Sequence, residues 1–167
     1  MQYVQTVNTP LGQMTLLSDD QFLLGSWFDG QKHFGGKYDL SSATVADTPV
    51  LQKSKKWLSA YFAGEQPDDD ELHMLFNGTA FQEKVLRALQ QVPYGETVTY
   101  KQICHMITSD EAQANKLSRA VGNAVGKNTF VVFIPCHRVL GSDGSLTGYA
   151  AGLERKRALL TLEKATF

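Results

Sequence analysis

The sequence predicts an α+β protein of two domains. A small N-terminal antiparallel β-sheet domain with a helix covers residues 1–76, and a helix-rich domain covers residues 77–167. Three observations lead there. Within the first 30 residues, short apolar runs are separated by turn signals, the pattern of a β-meander. The second half opens its helical segments with Thr-x-x-Gln capping boxes and continues them with helical apolar spacing. The charge also changes sign between the halves. Residues 1–76 carry five Lys/Arg against ten Asp/Glu, whereas residues 77–167 carry eleven against seven.

The strand candidates are Tyr3–Val7, Met14–Leu17 and Phe22–Phe28, with turns at Thr9-Pro10-Leu11-Gly12 and Ser18-Asp19-Asp20. Residues 29–46 are rich in Gly, Asp and Ser, show no period, and read as a loop. Asp47-Thr48-Pro49 is a helix start, Leu51, Leu58, Tyr61 and Phe62 its apolar stripe, and Gly64 its C-terminal cap. The acidic run Asp68-Asp69-Asp70-Glu71 reads as a solvated turn before a short strand, Leu72–Phe76. Thr79 and Gln82 form the first capping box, on a helix that buries Phe81, Val85, Ala88 and Leu89 and ends at Pro93-Tyr94-Gly95. Thr99 and Gln102 form the second, opening a short helix through Ile103 and Ile107. Ser109-Asp110 caps a third helix over residues 111–126. The apolar run Val131–Ile134 reads as a buried strand that stops at Pro135, and a last helix is expected over about residues 152–165. Three short helices followed by strand material match a helix-turn-helix with a wing.

The third helix has an unusual face. At 100° per residue, Leu117, Ala120, Val121 and Ala124 fall together with Gln113 and Ala114, and opposite them lie Asn115, Arg119, Gly122, Asn123 and Gly126. Gly126 can be a helix cap, but an interior glycine such as Gly122 costs about 1 kcal/mol relative to alanine. A face bare of large side chains apart from one arginine suits close approach to a large partner. The excess of positive charge in the same half permits that partner to be DNA.

Whole-chain features narrow the class. Composition is ordinary for a globular protein, 43% apolar and 20% charged. No basic stretch followed by an apolar core marks a signal peptide, and no apolar run approaches the length of a membrane span. Two cysteines in dissimilar contexts, Cys104 and Cys136, argue against a disulfide framework and against a four-cysteine zinc module. A free reactive thiol persists best in the cytosol, so a cytoplasmic location is expected.

Ile134-Pro135-Cys136-His137-Arg138-Val139 places a thiol beside an imidazole just beyond a buried segment. Thiolate is the nucleophile, and a neighbouring base or cation is what forms it at neutral pH. This hexapeptide resembles the active-site motif of the O6-alkylguanine-DNA alkyltransferases, or methylated-DNA–protein-cysteine methyltransferases. Val92-Pro93-Tyr94-Gly95-Glu96-Thr97-Val98-Thr99-Tyr100 and Arg119-Ala120-Val121-Gly122 are similar to the family's tyrosine and arginine segments. Gly148-Tyr149 and Gly152-Leu153-Glu154 through Glu163 fall at its spacing. The resemblance is strong over about residues 78–167 and general over residues 1–76.

The resemblance implies a ribonuclease H-like N-terminal domain and a winged helix-turn-helix C-terminal domain. It implies Cys136 as alkyl acceptor, His137 as its activator, through a water where needed, and Glu163 as the acid that orients His137. It further implies Asn128 as a hinge, Tyr100 as proton donor to the departing base, Arg119 as the residue that fills the space of an extruded base, and Tyr149 as a base-stacking wall. The Val139 and Ala150 backbones would flank the pocket, and Asn115, Gly122, Asn123 and Arg138 would complete the DNA-facing set. The partner implied is double-stranded DNA with alkylated bases, bound by a monomer without cofactor, metal or membrane. O4-methylthymine is a further implied substrate. Where some members carry Asn or Ser around Tyr149, this chain has Gly148 and Ala150, which bears on tolerance of bulky groups. On the residues alone, two alternatives stand: a Cys–His–Glu thiol hydrolase and a non-catalytic lesion-binding winged-helix protein. Without the resemblance, Glu163 fits an exposed helix edge better than a buried pair.

Overall fold

The structure, a computed structural model, describes residues 1–167. The chain divides into two compact units, Met1–Asn77 with Thr129–Val131, and Gly78–Asn128 with Val132–Phe167.

In the first unit, β1 (Tyr3–Thr9), β2 (Gly12–Ser18) and β3 (Leu23–Phe28) form an antiparallel meander, joined at its edge by β4 (Thr44–Val45), which runs parallel to β1. The expected loop over residues 29–46 therefore contains a short strand, too brief to show a period. Helix α1 (Pro49–Phe62) starts on Thr48, whose hydroxyl accepts from Leu51 N, and packs on the first three strands. It buries Leu51, Leu58 and Tyr61, while Phe62 stays partly exposed. Leu17, Leu24 and Trp27 gather Val4, Phe22, Tyr38, Leu40 and Ala43 in one cluster. Gly25 permits this packing, because a Cβ there would stand 2.2 Å from the Trp27 ring.

The outer edge of β3 is shared by two passing segments. Leu23 exchanges bonds with His73 and Leu75, and Ser26 exchanges bonds with Thr129 and Val131. The expected strand Leu72–Phe76 is accordingly reduced to a single bridge at Met74. Ser26 Oγ also donates to the Val131 carbonyl at 2.9 Å, which draws residues 129–131 into the first unit although they lie far along the chain.

In the second unit, α2 (Ala80–Gln90) and α3 (Tyr100–Ile107) both begin with complete capping boxes, Thr79 with Gln82 and Thr99 with Gln102. Helix α4 (Glu111–Gly126) starts on Asp110. These three helices pack on one another. The short strands β5 (Val98–Thr99) and β6 (Val139–Leu140) pair in parallel, and α5 (Leu153–Leu162) follows. No helix is long and apolar enough to cross a membrane.

Two expectations need correction here. On α4 the buried residues are Ala114, Val121, Ala124 and Val125, whereas Gln113 and Ala120 are exposed. Both fall at the margin of the apolar arc, where no neighbour covers them. The run Val131–Ile134 is buried as expected, but it is not a strand. Val132 takes φ 75°, a left-handed conformation costly for a β-branched residue, so the chain turns there. Beyond it the backbone finds local partners instead of a ladder. The Ile134 carbonyl accepts from Asn128 Nδ2 at 3.0 Å and from Cys136 N at 2.8 Å, a tight turn about Pro135, which has no N–H to offer.

Candidate active site

Cys136 begins a single 3-10 turn, Cys136–Arg138, that leads into β6. Its side chain is almost fully enclosed, and Asn128 Nδ2 donates to the sulfur at 3.2 Å. One asparagine amide thus ties the end of α4 to both the turn and the thiol. Burial pushes the Cys136 thiol up to about 11, and the Asn128 bond and the Lys156 charge act against that rise.

His137 is fully buried beside it, with Nε2 2.7 Å from Glu163 Oε2. The carboxylate has further donors. Arg138 approaches it with Nε at 2.8 Å to Oε1 and Nη2 at 3.1 Å to Oε2, and Gly95 N donates to Oε1 at 3.3 Å. Burial alone would push the Glu163 carboxyl up, but the His137 and Arg138 hydrogen bonds and charges outweigh it and hold the group well below the usual carboxylate range. Glu163 is therefore an acceptor, so His137 must donate from Nε2. Burial lowers the His137 value and the Glu163 bond opposes that, leaving the neutral ring favoured. Its Nδ1 then carries a lone pair. That atom is buried with no hydrogen-bond partner in the protein. A base without its proton is thus held next in sequence to the thiol, with no direct bond between the two.

Glu163 is not at an exposed edge; its side chain is wholly buried. It is the C-terminal cap residue of α5, where the helix dipole disfavours an anion. Its place is set by the donors around it. Arg138 also donates to the Val92 carbonyl at 2.7 Å and lies over the Tyr94 ring at 5.7 Å. Expected in the DNA-facing set, Arg138 instead has its guanidinium engaged inside the unit, and its side chain is 11% exposed. The reason is charge: a buried carboxylate needs a fixed cation more than the surface needs one more arginine.

Tyr100 begins α3 and is half-buried. Burial and the nearby Cys136 raise its phenol, a bond with Thr147 opposes this, and the hydroxyl keeps its proton. Asn115, Arg119 and Asn123 are exposed together on α4. Gly122 is half-buried rather than bare, since a Cβ on it would meet the Tyr100 ring at 4.0 Å. Val139 is buried and its carbonyl accepts from Lys156, while Tyr149 and Ala150 are half-buried in the loop before α5. No group of three or more His, Cys, Asp or Glu side chains is placed to hold a metal ion.

The sequence reading missed Lys156. This lysine is fully buried, and its ammonium donates to the carbonyls of Val139, Thr147 and Gly148. A signal was present: positions 156, 159, 160 and 163 share one helix face, and Leu159 and Leu160 mark that face as buried. Roles for Tyr94 and Gly95 were missed as well. Their turn supplies the aromatic surface under Arg138 and one donor to Glu163.

A buried thiol with an asparagine donor, beside a histidine oriented by a carboxylate, is the arrangement that suits a class of proteins working through a cysteine. Comparison with known proteins narrows this class. The model of the 6-O-methylguanine DNA methyltransferase DNA-binding domain matches residues 80–165. A methylated-DNA–protein-cysteine methyltransferase of Mycolicibacterium paratuberculosis is 39% identical over 96% of this chain and 91% of its own. The constitutive methylated-DNA–protein-cysteine methyltransferase of Bacillus subtilis is 34% identical over 100% and 98%. The crystal structure of Mycobacterium tuberculosis OGT in complex with DNA superposes with a TM-score of 0.84, at 37% identity, over 97% of this chain and 92% of that one. The chain belongs to the methylated-DNA–protein-cysteine methyltransferase family.

Proposed function

We propose that this chain repairs DNA by moving the alkyl group of O6-alkylguanine, and of O4-methylthymine, onto Cys136, once per molecule. The observation that carries this reading is the unpartnered Nδ1 of a neutral His137 whose Nε2–H is fixed on Glu163. It supplies a base for the thiol proton through one intervening water. The Cys136 thiolate then attacks the alkyl carbon in line. The C–S bond forms as the C–O bond breaks, the electron pair leaves with O6, and the Tyr100 phenol gives the base a proton. Asn128 Nδ2 supports the negative sulfur before attack. A thioether cannot leave again, so each molecule is spent. No step draws on a metal or a cofactor.

The base must be outside the stack for its alkyl carbon to reach a buried thiol. In this reading α3 and α4 form the helix-turn-helix of a winged fold. The exposed residues of α4, Asn115, Arg119 and Asn123, enter the groove with Gly122 beside them, and Arg119 fills the vacated place. Tyr149 and the Val139 and Ala150 backbones line the base pocket. The antiparallel β1–β3 with a parallel β4 supports a ribonuclease H-like first domain. In this reading the protein works as a monomer on duplex DNA in the cytoplasm, where a free thiol persists best.

The test is intact-mass measurement after incubation with a duplex carrying O6-methylguanine. The protein should gain one methylene equivalent, mapped to Cys136, with one lesion lost per molecule. Continued turnover by unmodified protein would instead point to a thiol hydrolase.

A further inference from the structure

Ser26 holds the segment that leads into the thiol turn. Strand β3 is buried along its whole length, and Ser26 carries its one hydroxyl, with no exposed surface. Three bonds run from this residue to the passing chain. Its amide donates to the Thr129 carbonyl at 2.8 Å, its carbonyl accepts from Val131 N at 3.2 Å, and its Oγ donates to the Val131 carbonyl at 2.9 Å. Between them Phe130 is fully buried and meets the Phe76 ring edge-on at 5.7 Å. Residues 129–131 thus follow a fixed path, and both of its ends bear on Cys136. Asn128, one residue before, donates to the Ile134 carbonyl and to the Cys136 sulfur. Val132, one residue after, takes φ 75°, a conformation that a β-branched residue keeps where its surroundings dictate it. The Val131 carbonyl and the Val132 nitrogen lie in one rigid peptide plane. By gripping that carbonyl, the Ser26 hydroxyl fixes the plane about which Val132 turns.

We propose that Ser26 is a positioning residue for Cys136, holding the turn at Val132 and with it the reach of Asn128 to the sulfur. Without the hydroxyl, the Val131 carbonyl loses a buried partner and its peptide plane is free to rotate. Val132 then relaxes toward negative φ, the path from Asn128 to Cys136 shifts, and the 3.2 Å bond from Asn128 Nδ2 to the sulfur opens. Cys136 loses the donor that favours its thiolate. A residue at the edge of the first sheet thereby sets the reactivity of a thiol far along the chain, which it does not touch. The proposal rests on Cys136 as the nucleophile, and it needs no particular substrate.

The test follows the reaction of Cys136 with iodoacetamide across pH, resolved from Cys104 by peptide mass, beside single-turnover transfer from a duplex carrying O6-methylguanine. Wild type, Ser26→Ala, Asn128→Ala and the double variant are compared in the full chain. Ser26→Ala should move the alkylation profile up by about one pH unit and slow the reaction at pH 7 about tenfold, the loss of a donor to an anion. Added to Asn128→Ala, it should move the profile no further, because the bond it protects is already gone. Leu58→Val, which loosens the packing of α1 in the same unit, should lower stability and leave the profile in place. A Ser26→Ala profile that superimposes on wild type, or a shift that adds in full to that of Asn128→Ala, overturns the proposal. Phe76→Leu loosens Phe130 without leaving a polar group unpaired and covers the case in which Ser26→Ala does not fold. Its profile should rise in the same direction, and an unmoved one would then overturn the proposal. If the alkylation profiles behave as expected and the wild type takes no methyl group from the duplex, the role of Ser26 stands and the repair reading fails.

Discussion

Replacing Glu163 with glutamine changes one atom and should disturb three neighbours. The carboxylate accepts from His137 Nε2 at 2.7 Å, from Arg138 at 2.8 and 3.1 Å, and from Gly95 N at 3.3 Å. Every one of these partners is a donor. A glutamine amide must turn its NH2 toward one of them, so His137 or Arg138 loses an acceptor. If His137 responds by moving its proton to Nδ1, the lone pair that would receive the thiol proton disappears. If Arg138 loses out, a nearly buried cation is left without its counter-ion, which typically costs about 3–5 kcal/mol. The kinetic effect can be bounded as well. A thiol at about 11 is ionised in roughly one molecule in ten thousand at pH 7, so the rate depends on assisted ionisation. A hydrogen bond to a charged group contributes about 1.5–3 kcal/mol, and that loss slows methyl transfer about 10- to 100-fold. The assay is single-turnover transfer from a methylated duplex across pH, with iodoacetamide reactivity of Cys136 over the same range and a denaturant melt. Glu163→Gln should shift both pH profiles upward and lower stability, with DNA affinity nearly unchanged. Profiles that superimpose on wild type would refute the role given to Glu163.

Four further outcomes follow from the same geometry. Asn128→Ala removes the donor to both Ile134 O and the sulfur, and should cost about 1–3 kcal/mol in a urea melt while moving thiol reactivity to higher pH. Wild-type stability should fall on acidification. His137 is depressed below 6.5 in the fold, so its contribution is present above pH 6.5 and is lost as pH falls through its folded value. Glu163, held below its ordinary value, adds a second loss in more acidic solution, and chemical denaturation from pH 8 to 4 should resolve the first leg and the onset of the second. Arg119→Ala should slow repair of duplex far more than reaction with the free alkylated base, because the duplex alone requires extrusion; equal losses would withdraw α4 from the DNA. Gly122→Ala should keep duplex affinity and gain helix stability, whereas Gly122→Leu should weaken binding and disturb Tyr100, read as a loss on free base as well.

Much of the scaffold was legible because its signals are local. The capping boxes at Thr79 and Thr99 and the caps at Thr48 and Asp110 act within one helical turn, so four residues suffice to show them. Residues 131–134 are buried without being a strand, because burial does not distinguish a strand from a turn whose last carbonyl accepts from the Asn128 side chain. The resemblance gives Asn128 as a hinge, and its bonds to Ile134 and Cys136 exist once the chain has turned at Val132. The paired state of Glu163 was equally hidden. An anion at the C-terminal end of a helix is locally unfavourable, although position 163 shares a helix face with Leu159 and Leu160.

The charged residues of the site show why family resemblance reached the nucleophile but not its support. Cys136 and His137 are visible as a motif since each has chemistry of its own, and Glu163 joins them through the resemblance. Lys156 and Arg138 act through position. The resemblance places Arg138 in the DNA-facing set, yet with His137 it keeps Glu163 ionised. That ionised acid fixes the His137 tautomer, and the tautomer leaves Nδ1 free to act. Removing Arg138 should therefore reproduce the kinetic defect of Glu163→Gln without touching the acid, the base or the thiol. Arg138→Met, matched in length and without charge, should slow methyl transfer, raise the pH profile of Cys136 and leave the salt dependence of duplex binding unchanged. A reduced salt dependence, with the profile unmoved, would return Arg138 to the DNA-facing set.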